Sequence, residues 1–310
     1  MDTANLITFI AIADSKSFSQ AAEKLYLTQP AISKRIKALE IEMKTKLFDR
    51  LGRQTALTEA GHILYKRAQI ILQQMEDSQR EIQNLTGQVT GKLNIATSHH
   101  IGLHRLPHVL EHYSQQYPDV LLDLHFMDSE QAYRDVQAGK FELAIITIPN
   151  NIIPNVTAPN KQNSELIAEI IWEDILEFVV GHTHPLAAQA HAIPVNHPLT
   201  ELAKHRAILP AKNTYTRRII EQAFKQSEQP ISTSLSTNFL ETIKMLVKVG
   251  LGWSVLPQTM LTDELVVINV TNVKLVRRLG VIRHPARTLS NAAKEMINML
   301  NDDNNCASTT

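Results

Sequence analysis

One long helix constrains this chain more than any other feature. From Thr58 to about Leu85 the sequence contains no proline, and apolar side chains recur at alternating spacings of four and three residues. Such a stripe can pack on its own chain, as most do. Gln, Glu, Asp and Arg fill most of the other positions, so a second copy of the helix is the surface best suited to cover it. The pattern predicts a coiled-coil homodimer with contacts at Leu64, Ala68, Ile71, Met75, Ile82 and Leu85.

The helix divides the chain into an N-terminal and a C-terminal part. The 310 residues exceed a usual single domain, so two or three packed units joined by linkers are expected. Gly87 and Gly91 interrupt the helical pattern and predict a hinge over residues 87–91. The polar residues 302–310 predict a disordered tail.

Two short helices are predicted at the start of the chain. Leu6 and Phe9 begin an apolar stripe at helical spacing. Ser17 can cap a second helix, in which the small residues Ala21 and Ala22 allow another helix to approach closely. These helices form the first part of a compact N-terminal unit.

A third helix, capped by Thr28 and tolerating Pro30 in its first turn, has two different faces. Its inward face is apolar, from Ile32 to Met43. Its outward face carries amide, hydroxyl and ammonium groups, which suit base-edge and phosphate contacts in a major groove. Residues 31–53 hold seven Lys or Arg against three Asp or Glu, although the net charge of the chain is zero. An isolated basic face of this kind is usually solvated surface.

A two-stranded hairpin is predicted around Gly52, with Phe48 and Leu57 anchoring it inward. Its arginines are then left to reach a nucleic-acid backbone or minor groove. Three helices followed by such a wing fit one DNA-binding geometry, which the solvated-surface explanation does not account for. The predicted DNA contacts are Ser19, Thr28, Gln29, Pro30, Ser33, Lys34, Lys37, Arg50 and Arg53.

The segments FxxIADSKSFSQAAEKLYLTQPAISKRIKALE and LFDRLGRQTALTEAG resemble the DNA-binding domain of the LysR-type transcriptional regulators over residues 4–61. The resemblance implies that Gln29, Pro30 and Ser33 lie at the recognition-helix positions of that family and that Arg50 and Arg53 match its wing arginines.

Lys44 departs from the family pattern, which usually has glycine after the third helix. Lys44 must therefore adopt a left-handed conformation at some cost, or the helix ends in another way. Two such heads held by a symmetric coiled coil predict a roughly palindromic operator.

From Leu93 onward strands and helices alternate, which predicts a parallel sheet with helices on both faces. LIAEIIW and ILEFVVG predict two separate strands, and ELAIITI, WSVLP and RRLGVIRH predict others. The order resembles the LysR effector domain, itself similar to periplasmic solute-binding proteins, through the fragments GKLNI, GKFELA, HPL and GLGWSVLP. The implied architecture is two α/β lobes joined by crossing strands.

The predicted fold class is therefore α/β with an N-terminal all-α winged helix-turn-helix, a long linker helix and a two-lobed, periplasmic-binding-protein-like α/β effector domain. The predicted boundaries are 1–58 for the DNA-binding domain, 59–86 for the linker helix, 92–301 for the effector domain, 92–162 and 268–301 for lobe I, and 163–267 for lobe II.

Ligands in open α/β sheets bind at the carboxyl ends of strands, beside helix N-termini. Ser98 and Thr147 follow predicted strands and match effector-contact positions of the family, and residues 213, 214 and 238 precede predicted helices. Hydroxyl and amide donors suit a small carboxylate or another polar anion, although the same side chains equally suit helix caps. The predicted effector contacts are Ser98, His99, His100, Thr147, Asn213, Thr214 and Asn238.

A histidine stripe offers a different function. His100, His104, His108 and His112 step by four residues, and histidines at this spacing can share zinc. No carboxylate or cysteine is spaced to complete a site, so a polar, partly exposed helix face is the simpler interpretation. A metal-responsive regulator is kept as the alternative.

Other functional classes find less support. The first residues lack a basic segment and a long apolar run, so neither signal peptide nor membrane anchor is expected, and we expect a cytoplasmic protein. Cys306 is the single cysteine. An enzyme-like two-lobed protein is a further alternative, but GxSxG, P-loop and HExxH motifs are missing. We predict no catalytic residue, cofactor or bound metal.

The expected partners are double-stranded DNA, a small-molecule effector and further copies of the chain, with RNA polymerase as another candidate. The family resemblance implies a tetramer, whereas the residues themselves indicate a dimer.

Overall fold

A computed structural model describes residues 1–51, 54–149, 166–192 and 198–307. The chain forms two compact units, Met1–Thr86 and Gly87–Thr310. Among the described residues, no helix is both long enough and apolar enough to cross a membrane.

The first unit is a winged helix-turn-helix followed by a long helix, as predicted. Asp2, Ser17, Thr28 and Thr58 each precede a helix and accept a hydrogen bond from a backbone N–H in its first turn. The elements are α1 (Thr3–Ser15), α2 (Phe18–Lys24), α3 (Gln29–Met43), β1 (Phe48–Leu51), β2 (Gln54–Leu57) and α4 (Glu59–Asn84).

The core of this unit lies where the three short helices and the hairpin meet. Phe9 and Ile12 of α1 pack with Ile32 and Leu39 of α3, and all four side chains are fully buried. The rings of Phe9 and Phe48 lie 5.2 Å apart, which ties β1 to α1. This packing leaves the opposite face of α3 exposed.

Lys44 ends α3 in the left-handed region, at φ 55° and ψ 27°. Its N–H donates to Ile41 O and the next N–H donates to Glu40 O, both at 3.2 Å. The helix thus ends with the geometry that glycine would favour, and a residue with a Cβ bears the conformational cost.

Replacing Lys44 with glycine is expected to stabilise the first unit by about 0.5–1 kcal/mol, because relief of the left-handed strain exceeds the entropy that glycine adds to the unfolded chain. Calorimetry of the N-terminal transition measures the change. Lys44→Ala is the matched control, since it removes the charge but keeps the Cβ. An equal gain in both variants would assign the effect to charge and contradict the conformational explanation.

The second unit contains the remaining elements. They are β3 (Gly91–Thr97), α5 (His99–His104), α6 (Leu106–Gln116), β4 (Val120–Phe126), α7 (Ser129–Gln137), β5 (Leu143–Thr147), β6 (Ile167–Gly181), α8 (Pro185–Ala192), α9 (Leu199–Ala203), β7 (Ala207–Leu209), α10 (Tyr215–Gln226), β8 (Thr233–Ser236), α11 (Leu240–Lys248), β9 (Ser254–Pro257), a 3-10 turn (Gln258–Met260), β10 (Leu265–Ile268), β11 (Leu275–Arg283) and α12 (Asn291–Ala307).

Two long strands join the two lobes of this unit. The sheet order is β10-β6-β11-β5-β3-β4, with β9 also paired to β6. β11 pairs with β5 in lobe I and with β6, while the last residues of β6 lie between β9 and β10 in lobe II.

The sheet corrects two sequence predictions. LIAEIIW and ILEFVVG form one continuous strand, β6, rather than two, because the same strand serves both lobes. The sheet is also mixed rather than parallel. β3 is parallel to β4 and β5, where helical crossovers connect the strands, whereas β6 and β11 run antiparallel to each other and β11 runs antiparallel to β5.

Helices cover both faces of each lobe. In lobe I, α6 and α12 pack on one face through buried residues such as Tyr113 and Met296, and α7 packs on the other. In lobe II, α10 packs through Phe224 on Trp253, and α11 covers the opposite face. The predicted disordered tail is wrong in part, because α12 continues to Ala307.

Candidate functional site

The outward face of α3 carries the predicted DNA contacts. Gln29, Pro30, Lys34 and Lys37 are exposed, and Ser33 is half-buried. The exposed cap Thr28 stands at the start of the same helix, and exposed Ser19 lies on α2. The polar face is therefore continuous with the N-terminal end of α3.

Not all of the basic charge near α3 is available. Arg35 is half-buried, and its Nη1 donates to Thr8 Oγ1 at 3.2 Å. Lys46 is paired with Glu40 at 2.8 Å. Exposed Lys34 and Lys37 are thus the lysines on α3 best placed to meet phosphate.

The wing is a two-stranded antiparallel hairpin, with Phe48 opposite Leu57 and Leu51 opposite Gln54. The backbone of Arg50 lies on β1, but its side chain lies outside the described part of the structure, as does all of Arg53. The predicted roles of both arginines therefore stay predictions.

The structure changes the dimerisation surface predicted on α4. Ala68 is completely buried in its own unit, and Leu64 and Ile71 are half-buried against the same core. We withdraw Ala68 from the partner surface because its side chain is already enclosed. Met75, Ile82 and Leu85 stay exposed, at 43%, 67% and 86%.

Sequence reasoning missed two further apolar residues on α4. Ile63 and Ile70 are exposed at 63% and 49%. Their spacing of seven residues was the available signal, but both residues lie beside the apolar stripe that is predicted to contact the partner. The apolar surface of α4 thus has an inner part that packs on its own chain and an outer part that does not.

The second unit contains a cleft between its lobes. A cavity there is lined by Ser98, His99, His100, Thr147, Thr214 and Asn238, and an adjoining cavity shares three of these and adds Asn213. The structure thus brings all seven predicted effector residues to one cleft. Two connected cavities at the ends of strands match the usual position of a ligand in such sheets.

Several of these residues also have local structural roles. Thr214 caps α10, accepting from Arg217 N at 3.2 Å. Asn238 Oδ1 accepts from Ala211 N at 3.0 Å, and Thr147 N donates to Ser129 Oγ at 3.2 Å. Ser98 stands before α5 but its side chain makes no cap hydrogen bond. Thr214 is thus a helix cap, whereas the side chain of Ser98 does not cap α5.

A buried ion cluster forms the floor of the cleft. Asp174 on β6 lies directly opposite Arg277 on β11, and its Oδ2 accepts from Arg277 Nη2 at 2.8 Å and Nε at 3.0 Å. The other oxygen accepts from Arg105, whose guanidinium lies over the Trp172 ring. Asp174 and Arg277 are only 2% and 3% exposed.

The cluster carries one surplus positive charge, since two guanidinium groups face one carboxylate. Burial alone raises the pKa of Asp174, but His100, Arg277 and Arg105 outweigh burial and hold that pKa well below its usual range. Arg277 also lines the cavity and donates to Thr216 Oγ1 at 3.3 Å. The guanidinium of Arg277 is thus a cation that borders the cavity.

His100 stands between this cluster and the cavity. It is 7% exposed, and its pKa is lowered because burial disfavours the imidazolium and the Arg277 charge adds to this effect. Its Nε2 lies 3.4 Å from Asp174 Oδ2, a contact that helps to stabilise the carboxylate, whereas its Nδ1 has no hydrogen-bond partner in the structure. Such a buried polar group is costly unless something else binds it.

Two carboxylates also line the cleft. Asp128 Oδ2 accepts from Asn238 Nδ2 at 2.8 Å, and Glu130 Oε1 accepts from Tyr215 N. Both carboxylates line both cavities.

Sequence reasoning missed much of this constellation. The available signals were Asp174 inside the apolar strand IIWEDILEF and Arg277 in LVRRLGVIR, because a charge in a buried strand requires a partner. The missed residues are Arg105, Asp128, Ser129, Glu130, Asp174, Thr216 and Arg277.

The histidine stripe is divided in the structure. α5 ends at His104 and α6 begins at Leu106, so the four histidines do not share one helix. His104 Nε2 contacts Glu241 at 2.5 Å, while His108 lies 3.4 Å from Asp303. Within the described residues, no three His, Cys, Asp or Glu side chains are grouped as metal ligands.

Comparison with known proteins assigns both units. The family model described as "Bacterial regulatory helix-turn-helix protein, lysR family" matches residues 3–62, and the model "LysR substrate binding domain" matches residues 86–304. A probable RuBisCO transcriptional regulator from Synechocystis is 31% identical over 295 residues, covering 93% of this chain and 82% of that protein.

Solved structures show the same fold. CbnR bound to its target DNA has a TM-score of 0.62 at 18% identity, covering 98% of this chain and 100% of that one. The regulatory domain of Synechocystis CcmR in complex with 2-PG has a TM-score of 0.58 at 23% identity, covering 69% of this chain and 97% of that one. With a DNA-reading head, an α/β effector-binding domain and two family matches, the chain belongs to the LysR family of transcriptional regulators.

Proposed function

We propose that this regulator senses a small anionic metabolite in the cleft of its second unit. The observation that carries the proposal is a surplus positive charge at the cavity beside buried His100, whose Nε2 contacts Asp174 and whose Nδ1 has no partner. An oxyanion in the cavity would accept from the imidazole and be attracted by Arg277. The complex of CcmR with 2-PG supports this class of ligand.

We further propose that Ser98 and Thr147 orient the ligand. Ser98 lines the cavity, and its hydroxyl makes no cap hydrogen bond to α5. Thr147 ends β5 and lines the same cavity, close to Ser129. Hydroxyl donors at these places suit the remaining oxygens of a carboxylate or phosphate.

Replacing His100 with alanine should weaken anion binding about tenfold or more, because a hydrogen bond to a charged group contributes about 1.5–3 kcal/mol. Isothermal titration of the full chain with 2-PG and with inorganic phosphate measures this. His112→Ala is the matched control, since His112 is exposed on α6 and does not line the cleft. Equal affinity of the His100 variant and the parent would overturn the assignment.

The DNA-binding head is proposed to act as a pair. The exposed apolar side chains of α4, Ile63, Ile70, Met75, Ile82 and Leu85, supply a surface for a second copy. Dimeric heads of this kind read two half-sites, so the operator is proposed to be roughly palindromic. The cytoplasm is the proposed location, and RNA polymerase a proposed further partner.

Effector and DNA binding are proposed to be coupled through the two lobes. A ligand held between lobes changes regulation only if it binds one lobe arrangement more tightly than another. The glycines Gly87 and Gly91, both at positive φ, lie where the second unit begins and are the proposed hinge. The metal-responsive alternative has no comparable support among the described residues.

A further inference from the structure

The amino end of α10 is already bound to a carboxylate from the other lobe. Glu130, on α7 of lobe I, accepts through Oε1 from Tyr215 N, the first N–H of α10 in lobe II. The first N–H groups of a helix have no partner within it, and the helix dipole favours an anion there. Glu130 thus holds a position that suits an anionic ligand.

A second observation places a buried side chain with an unpartnered nitrogen in the same cavity as Glu130. His100, 7% exposed and with its Nδ1 unpartnered, lines the same cavity as Glu130, Thr214 and Tyr215. The cavity therefore presents two kinds of anion-binding group. The backbone N–H of Tyr215 is bound by the chain itself, whereas Nδ1 of His100 is not.

Glu130 is held at this position against an electrostatic cost. Burial raises its pKa because the ionised form loses solvation, and the neighbouring Asp128 raises it further. The hydrogen bond from Tyr215 N and the charge of Arg218 act in the opposite direction. The hydrogen bond from Tyr215 N is therefore offset in part by the lost solvation of Glu130 and by the like charge of Asp128.

Arg218 offers the carboxylate of Glu130 a second cation after displacement. Arg218 is exposed on α10, and its guanidinium lies 5.6 Å from the ring centroid of Tyr215. Arg218 and Glu130 both line the adjoining cavity. Glu130 thus has an alternative anion partner within the same cleft.

We propose that Glu130 is an internal competitor of the effector: its carboxylate holds the amino end of α10 until an anionic group of the ligand displaces it. The proposal rests on the anion-binding function proposed above. Because Glu130 and α10 belong to different lobes, each displacement breaks a hydrogen bond between the lobes. Ligand binding and lobe arrangement are thereby coupled through one side chain.

Glu130→Gln tests the competition with little risk to folding, since glutamine keeps the size and an acceptor oxygen but removes the charge. In titrations of the full chain, the variant should bind inorganic phosphate and 2-PG about tenfold more tightly than the parent, since a like charge beside an anion is unfavourable. Glu111→Gln, exposed on α6 away from the cavities, is the matched control and should match the parent. Unchanged or weaker binding by Glu130→Gln would overturn the proposal.

Hydrogen exchange separates this proposal from the anion-binding function itself. Without any ligand, Glu130→Ala should speed exchange in the first turn of α10, and saturating 2-PG should restore protection. If no anion binds the parent or any variant, the proposed function fails. The contact between Glu130 and the amino end of α10 is tested separately, by hydrogen exchange without ligand. Equal exchange in the parent and in Glu130→Ala would show that Glu130 does not hold the amino end of α10 and would overturn the proposal.

Discussion

Replacing Asp174 with asparagine is expected to destabilise the second unit by about 3–5 kcal/mol, the usual cost of leaving a buried charge without its partner. Arg277 is 3% exposed and donates two hydrogen bonds from its guanidinium to Asp174 Oδ2. Asparagine keeps one acceptor oxygen but leaves two guanidinium groups without a counter-charge. The desolvation of Arg277 is then no longer offset.

Urea unfolding of the full chain measures this loss by tryptophan fluorescence. The chain has two tryptophans, Trp172 and Trp253, and both are buried in the second unit, so the signal reports that unit alone. Asp123→Asn is the matched control: Asp123 also lies on a strand and pairs with Lys92 at 2.6 Å, but near the surface. If both variants lost the same small amount, Asp174 would not be the centre of the cluster.

The same ion cluster predicts a pH dependence. The pKa of Asp174 in the folded chain lies well below the ordinary value of 3.8. Its stabilising contribution is therefore fully present above the pKa of the unfolded chain and is lost as the pH falls through that value toward the lower one. Asp174→Asn should accordingly show less loss of stability between neutral and strongly acidic pH than the parent.

Replacing Gln29 with alanine is expected to relax base preference at one operator position, at a cost of about 1–3 kcal/mol for the preferred sequence. Gln29 is exposed in the first turn of α3, where an amide can reach a base edge. Lys37→Ala should instead weaken binding to every sequence and lower the slope of log K against log salt by about one, because a lysine contacts phosphate.

Sites selected from random DNA, titrated at several salt concentrations, distinguish these two effects. Lys225→Ala is the matched control for charge, since Lys225 is exposed on α10 in the second unit. Should the Gln29 and Lys37 variants bind selected and random DNA like the parent, α3 would not be the recognition helix.

Much of the first unit could be predicted from the sequence. Thr28 and the apolar Ile32 and Leu39 follow from local rules of helix capping and periodicity, whereas the structure decided between the two ends of α3 that were possible at Lys44. Sequence-based prediction was less successful on α4, because one apolar stripe was assigned to a partner although Ala68 packs on its own chain. Periodicity shows that a face is buried but does not show what buries it.

The effector cleft shows the same division. Residues at strand ends and helix starts, such as Ser98 and Thr147, could be assigned because topology places them at one edge of a sheet. Asp174 and Arg277 could not be assigned to one site, because they are 103 residues apart and meet only through the register of β6 with β11. Glu130 and Tyr215 are 85 residues apart and likewise meet only in the tertiary structure.

The sequence by itself determined the two-part organisation, the winged helix-turn-helix, the long α4 and seven of the residues that line the cleft, because each depends on contacts close along the chain or on strand order. Only the tertiary structure decided which apolar face of α4 is covered, that β6 serves both lobes, and that a buried cation and two carboxylates line the same cavity. Burial and charge pairing depend on which distant residues pack together, and a pattern along one chain does not contain that information.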